Sequence, residues 1–363
     1  MKRAGGLSFK GAVAAASLTL GMLMSVPAQA QDRYAAIVMD ARTNEILLED
    51  QADETRYPAS LTKMMTLYML FEAIERGDVS LETRWTASRN ASRQPPSRLG
   101  LRCTRRGVCD SITVDQAIRA LVVQSANDVA TMVAERLGGT EARFSASMSA
   151  RARELGMTNT RFANASGLPS TRHATTARDM ATLSQALWRD FPEYYHYFTT
   201  PSFNWRRGGA RSHNRLIGQV DGVDGIKTGY TRASGFNLAT MAERGGRRVV
   251  VVVLGGESAA ARDAQVAYLV EGAYEEYARR GDNVTYASLP NPRLDLQFAP
   301  NAATGTVTQA GRATPPTPYQ TYEGMVLETM APQAVVDAPL AQGDDAEAEA
   351  EFTAEETTDQ PAP

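Results

Sequence analysis

The chain has 363 residues, 43% of them hydrophobic and 22% charged, with a formal net charge of −3 at pH 7. Length and balance fit one core of about 250 residues with flanking segments, and no basic-aromatic motif points to nucleic acid. The net charge hides an asymmetry: residues 31–312 carry 35 basic and 30 acidic side chains, whereas 11 acids and no Lys or Arg follow. A mildly basic body is compatible with an anionic wall or membrane surface.

Residues 1–30 read as a secretory signal. Lys2, Arg3 and Lys10 form a charged start, residues 12–24 an apolar run, and Ala28-Gln29-Ala30 a small-residue cleavage site. The run is shorter than the roughly 20 residues a membrane span needs. The expectation is export with cleavage after Ala30, leaving Gln31 as the mature start; an uncleaved anchor is the alternative.

Residues 35–39 and 45–48 flank Arg42-Thr43-Asn44 and read as a hairpin. Pro58 then precedes a helical pattern in which Leu61, Met64, Met65, Tyr68, Met69 and Phe71 are spaced for one buried side. Cys103 and Cys109 are the chain's two cysteines. In an oxidising compartment they can close a small loop as a disulfide, and a reduced, basic surface loop is the other reading. With no CxxC and the three histidines far off in sequence, a metal site is not expected.

Thr113-Val114-Asp115-Gln116 fits a capping box that opens a helix through residues 117–123. Further helices are expected at residues 128–137, ended by Gly138-Gly139, and at 141–155 and 176–189. Residues 236–254 read as two strands around Gly245-Gly246. The second is an unbroken apolar run, which predicts a strand covered on both faces. A last helix is expected over 259–279. Strands at both ends with helices between them imply one sheet built from distant parts of the chain, flanked by a helical cluster. Beyond residue 282 the texture changes: ten of the 17 prolines fall in 283–363, and residues 344–359 are acidic and of low complexity. Such a segment is expected to be a flexible tail, with one short strand near 294–298.

Past residue 30 the chain keeps two lysines, Lys63 and Lys227, against 33 arginines. Arginine stays protonated at any pH a protein meets, whereas a lysine amine can give up its proton. Coding bias toward Arg explains the scarcity but not why both survivors fall in motifs. Ser60-x-x-Lys63 puts a hydroxyl and an amine one helical turn apart on the same side, at a helix N-terminus that favours developing negative charge. An amine in a partly desolvated cleft can accept the serine proton. No histidine sits near a serine in a comparable arrangement, which favours a Ser-Lys pair over a Ser-His-Asp triad.

Ser125-Ala126-Asn127 falls between two helices, where the hydroxyl can relay a proton and the amide can hold a substrate carbonyl. Lys227-Thr228-Gly229 comes just before the strand pair. Its ammonium and hydroxyl suit a carboxylate, and its glycine allows close approach of substrate to the backbone. Each motif alone is weak; in this order, with the two lysines filling the lysine slots, they are strong.

The arrangement resembles the penicillin-recognising serine D,D-peptidases, and among them the D-alanyl-D-alanine carboxypeptidases of the low-molecular-mass penicillin-binding proteins. The resemblance spans residues 34–280. Supporting words are Tyr57-Pro58-Ala59-Ser60-Leu61-Thr62-Lys63-Met64, Gln124-Ser125-Ala126-Asn127-Asp128, Asn164-Ala165-Ser166-Gly167-Leu168-Pro169 and Val223-Asp224-Gly225-Ile226-Lys227-Thr228-Gly229-Tyr230-Thr231.

The resemblance implies an α/β (α+β) fold of the β-lactamase/D,D-peptidase kind: a mainly antiparallel sheet flanked by helices, plus a helical cluster and a disordered C-terminal tail. Residues 31–282 would be the catalytic domain of a periplasmic enzyme trimming the terminal D-alanine from peptidoglycan stem peptides, with β-lactams as covalent inhibitors. Ser60 would be the acylated nucleophile and Lys63 its general base. Ser125 would pass the proton to the leaving D-alanine, and Asn127 would hold the peptide. Lys227 and Thr228, with Gly229, would bind the terminal carboxylate. The backbone N–H groups of Ser60 and Tyr230 would form the oxyanion hole, worth about 3 kcal/mol per donor. No cofactor is implied. Arg262 is a further candidate for the carboxylate, against a solvated arginine at a helix start.

Two departures matter. Many relatives follow the catalytic domain with a small β-domain and an amphipathic anchoring helix; the 81 residues after Asp282 supply neither pattern, so C-terminal membrane tethering is not expected. Tyr230 stands where some relatives have His. The rivals are a β-lactamase, disfavoured because no Glu-x-x-x-Asn lies between Asn127 and Lys227, a D,D-endopeptidase on the same cleft, and a non-catalytic penicillin-binding sensor.

Overall fold

The computed structural model describes residues 33–281 apart from Arg207. The expected leader at 1–30 and the expected tail at 283–363 lie outside the described residues. A hairpin, β1 (Ala35–Asp40) and β2 (Ile46–Asp50), leads to α1 (Thr62–Glu75). A short pair, β3 (Arg84–Thr86) and β4 (Ser111–Thr113), precedes α2 (Val114–Val123), α3 (Asn127–Gly138), α4 (Glu141–Glu154) and α5 (Ala177–Asp190). A second short pair, β5 (Ser202–Trp205) and β6 (Gly208–Arg211), is followed by β7 (Val223–Thr231), β8 (Gly235–Arg244), β9 (Arg247–Gly256) and α6 (Ala259–Arg279).

The main sheet has the order β2-β1-β9-β8-β7, antiparallel throughout. Its centre is β9, with five successive valines at 249–253 whose branched side chains favour the pleated backbone. Side chains alternate along a strand, so Val250, Val252 and Leu254 enter the core shared with the helical cluster, while Val249, Val251 and Val253 pack on α6. The expected two-sided burial is found. Gly245 and Gly246, with φ of 54° and 77°, join β8 to β9 by a two-residue turn between paired Arg244 and Arg247. Positive φ at both turn positions matches the twist of the flanking strands, and glycine adopts it without steric penalty.

α6 is tied to the sheet by more than apolar contact. The Arg244 guanidinium, 2% exposed, donates to both carboxylate oxygens of Glu271 at 2.7 and 2.5 Å and lies 4.6 Å from the Tyr274 ring centre. On the opposite face, α5 packs on β9 and β1, and α1 is wedged among α2, α3, α4 and α5.

The expected capping box is present: Gln116 N donates to Thr113 Oγ1 (3.2 Å) and Thr113 N to Gln116 Oε1 (3.0 Å). A disulfide joins Cys103 to Cys109. Two expectations need correction. α1 does not bury one side only: residues 62–68 are all buried, because the helix is enclosed by the other helices and by the turn that precedes it. Lys227-Thr228-Gly229 does not precede the strands but lies inside one, β7, at the edge of the sheet. Among the described residues, no helix is long and apolar enough to cross a membrane.

Candidate active site

Ser60 sits on a single 3-10 turn, Ala59–Leu61, that runs directly into α1, placing Lys63 in the first turn of the helix. Ala59 takes a positive φ of 47°. Gly167 presses against that turn so closely that a Cβ on it would stand 1.9 Å from the Ala59 carbonyl oxygen, so only glycine fits. From the sheet side, Asn237 on β8 donates to the carbonyls of Tyr57 (2.9 Å) and Pro58 (3.2 Å) and accepts from Gly255 N (2.9 Å). The Ser60 turn is thus held by a loop on one side and by the sheet on the other.

Lys63 is fully buried. Its Nζ lies 3.1 Å from Ser60 Oγ, 2.8 Å from Asn127 Oδ1 and 2.6 Å from Ser166 O. None of these partners is a carboxylate. Burial holds the amine well below its ordinary value of 10.5, the positive charge of Lys227 lowers it further, and Asp128 opposes both. Asp128 does not bond the amine: its carboxylate accepts from the backbone N–H groups of Leu99, Gly100, Leu101 and Val129.

The three contacts determine what a neutral amine does here. It has two N–H donors and one lone pair. Asn127 Oδ1 and Ser166 O can only accept, so they take the two donors. Ser60 is the one partner able to donate, and its hydroxyl proton then points at the lone pair. A neutral Lys63 is aimed at the Ser60 hydroxyl proton by elimination.

Asn127, the first residue of α3, is buried and fully engaged. Its Nδ2 donates to Pro95 O (3.1 Å) and Pro96 O (2.9 Å), and its backbone N to Ser97 O (2.7 Å). In the structure its amide bonds Lys63 on one side and fastens residues 95–97 on the other. Ser125 ends the α2–α3 corner with a φ of 56°, in the left-handed region a serine rarely adopts. Its Oγ is buried without a hydrogen-bond partner. A strained residue with an unused hydroxyl, two positions from the residue that holds Lys63, fits a functional group better than a structural one.

β7 supplies the opposite wall. A Cβ on Gly229 would lie 2.9 Å from Ser60 N and 3.1 Å from Leu61 N, so the glycine lets the edge strand approach the Ser60 turn itself. The sequence predicts close approach of substrate at this glycine; the structure shows close approach of the Ser60 turn. Lys227 is 2% exposed and donates to Thr228 O at 2.9 Å. Burial, then the charge of Arg262, lowers its amine to about 7. Thr228 is buried, and Tyr230 is half-buried with its ring 4.2 Å from that of Phe236. Arg262 is not solvated: it is 3% exposed and donates to Asn237 O and Asp263.

Two contributors had no assigned role in the sequence. The Ser166 carbonyl is set by Asn164, whose Oδ1 accepts from Ser166 N (3.2 Å) and Gly167 N (2.8 Å), a turn that an Asn followed three positions on by Gly signals. Asn237 is a polar residue in an otherwise apolar strand, which was the available clue.

A half-buried serine whose hydroxyl meets a buried amine without a carboxylate partner is the geometry that a serine–lysine acyl-transfer pair requires. The antiparallel sheet with helices on both faces is the β-lactamase/D,D-peptidase-like fold. Residues 23–258 match the sequence profile of the D-alanyl-D-alanine carboxypeptidase family, and the chain belongs to that family. It is 32% identical over 249 residues to the D-alanyl-D-alanine carboxypeptidase DacD of Salmonella typhimurium, covering 68% of this chain and 64% of that protein. It therefore spans a little under two thirds of that relative's length. The crystal structure of DacD from Francisella tularensis superposes with a TM-score of 0.62 at 31% identity, over 65% of this chain and 68% of that one. Penicillin-binding protein D2 of Listeria monocytogenes, in its ampicillin-bound form, gives 0.58 at 30% identity, over 65% and 94%.

Proposed function

We propose that the chain is a serine D,D-carboxypeptidase that removes the terminal D-alanine from peptidoglycan stem peptides through an acyl-enzyme on Ser60. The observation that carries this is the fully buried Lys63 amine, 3.1 Å from Ser60 Oγ, with its other two contacts to pure acceptors. Lys63 takes the Ser60 proton as Oγ bonds to the carbonyl carbon of the penultimate D-alanine. The backbone N–H groups of Ser60 and Tyr230 hold the resulting oxyanion. The C–N bond then breaks, and Ser125 passes the proton from Lys63 to the leaving amine. In the second half a water oxygen bonds to the same carbon, the Oγ–C bond breaks, and the proton returns to Ser60.

The substrate's terminal carboxylate meets Lys227 and Thr228, with Gly229 keeping that strand against the nucleophile. Asn127 acts as a positioning residue for Lys63. β-Lactams would acylate Ser60 by the same first half. Residues 31–282 form the catalytic unit of an exported, periplasmic protein. The test is incubation with a peptide ending in D-Ala-D-Ala, with free D-alanine measured. Stoichiometric release abolished by Ser60→Ala is expected; covalent penicillin labelling of Ser60 without D-alanine release would overturn the reading.

A further inference from the structure

Residues 84–109 carry seven arginines and no aspartate or glutamate, and all seven arginines are exposed. The segment is firmly mounted. Asp128 accepts from three of its backbone N–H groups, Asn127 donates to two of its carbonyls, and the Cys103–Cys109 disulfide closes its far end. The Arg89 guanidinium donates to Arg105 O at 3.0 Å, which brings Arg89 beside Arg105 and Arg106 on the disulfide-closed loop. Val108 follows at 69% exposure; it and Tyr57 are the exposed large hydrophobic residues among those described. The acids that touch this surface are already engaged: Asp110 pairs with Arg206 and accepts from Arg102 N, and Glu135 accepts from Asn90.

We propose that this loop is a docking surface for an anionic phospholipid membrane, with headgroup phosphates on Arg89, Arg105 and Arg106 and Val108 at the acyl boundary. Guanidinium forks match phosphate oxygens and are weakly hydrated, so they suit this contact better than ammonium groups. A cluster of like charges on a rigid loop repels itself, and an anionic surface relieves the repulsion. The exposed valine among the arginines favours lipid over a wall polymer, which offers an apolar side chain nothing. Residues 95–97 of the same segment bond to Asn127 in the catalytic site. Docking there holds the cleft beside the membrane surface independently of any terminal anchor.

The test is co-sedimentation of the full chain with mixed phosphatidylglycerol–phosphatidylcholine vesicles, against pure phosphatidylcholine vesicles and purified peptidoglycan sacculi. Wild type is expected to pellet with the anionic vesicles and to be released by salt. The triple variant Arg89→Ser/Arg105→Ser/Arg106→Ser should partition roughly a hundredfold less, at unchanged melting temperature and penicillin labelling. Val108→Asp should lose a smaller, severalfold part. Equal sedimentation of wild type and triple variant would assign any lipid binding to another part of the chain and overturn the proposal. So would equal binding to both kinds of vesicle, or binding to sacculi alone, the last transferring the surface to a wall polymer.

Discussion

Two of the regions that bury cations handle them in opposite ways. Between the sheet and α6, Arg244 is 2% exposed and meets Glu271 through two parallel hydrogen bonds. In the cleft, Lys63 and Lys227 are as deeply buried, yet neither is hydrogen-bonded to a carboxylate in the structure. Arginine cannot shed its proton, so a buried guanidinium needs a counter-charge. A buried lysine has a second option, which is to become neutral. The paired region gains a firm joint; the unpaired region gains amines that burial holds below their ordinary value.

The sharpest way to break this contrast is Lys63→Arg. A guanidinium cannot accept the Ser60 proton, so penicillin acylation and D-alanine release should fall by about 10²–10⁴-fold, the usual worth of a positioned base. Stopped-flow acylation, with a melting curve to confirm the fold, checks it. Next in size is Glu271→Gln, which leaves the buried Arg244 charge with only the exposed Asp221 carboxylate, 3.4 Å away. Denaturant unfolding should show a loss of about 3–5 kcal/mol. Acylation of the remaining folded protein should be unchanged, because the pair lies on the α6 face of the sheet.

Lys227→Arg keeps a charge where charge is the proposed duty. A cost of about 1 kcal/mol, read as a severalfold rise in KM with kcat nearly constant, is expected from an imperfect carboxylate contact. The smallest effect is in pH. The protonated Lys227 binds a carboxylate and the neutral form does not, and burial, with the charge of Arg262, sets its amine at about 7. KM for a peptide with a free C-terminal carboxylate should therefore climb as pH rises above 7, by at most about tenfold per unit. The C-terminal amide of the same peptide should show no such climb.

Much of this was legible in the residues themselves. The valine run of β9 and the Thr113–Gln116 capping box are local signals that the tertiary structure leaves intact. The Ser60-x-x-Lys63 spacing is a helical turn, and it folds as one. β7 was missed because Gly225, Lys227 and Gly229 are poor strand formers; pairing with β8 and contact with the Ser60 turn hold them extended. The duty of Asn127 was equally hidden, since its partners Pro95 and Pro96 lie 32 and 31 residues away in sequence. The carbonyl of Ser166 carries no side-chain signal at all. Backbone groups and long-range partners are where a site outruns its motifs.

The claim beneath all of this is that burial without a carboxylate partner makes Lys63 a base. The chain has four lysines, so the Nζ resonances of protein labelled with 15N-lysine can be assigned by single substitution and followed with pH. The account predicts that the Lys63 amine titrates well below 10.5 in the free protein, and that its resonance shifts when Ser60 is acylated. A Lys63 amine still protonated up to its ordinary value would contradict it.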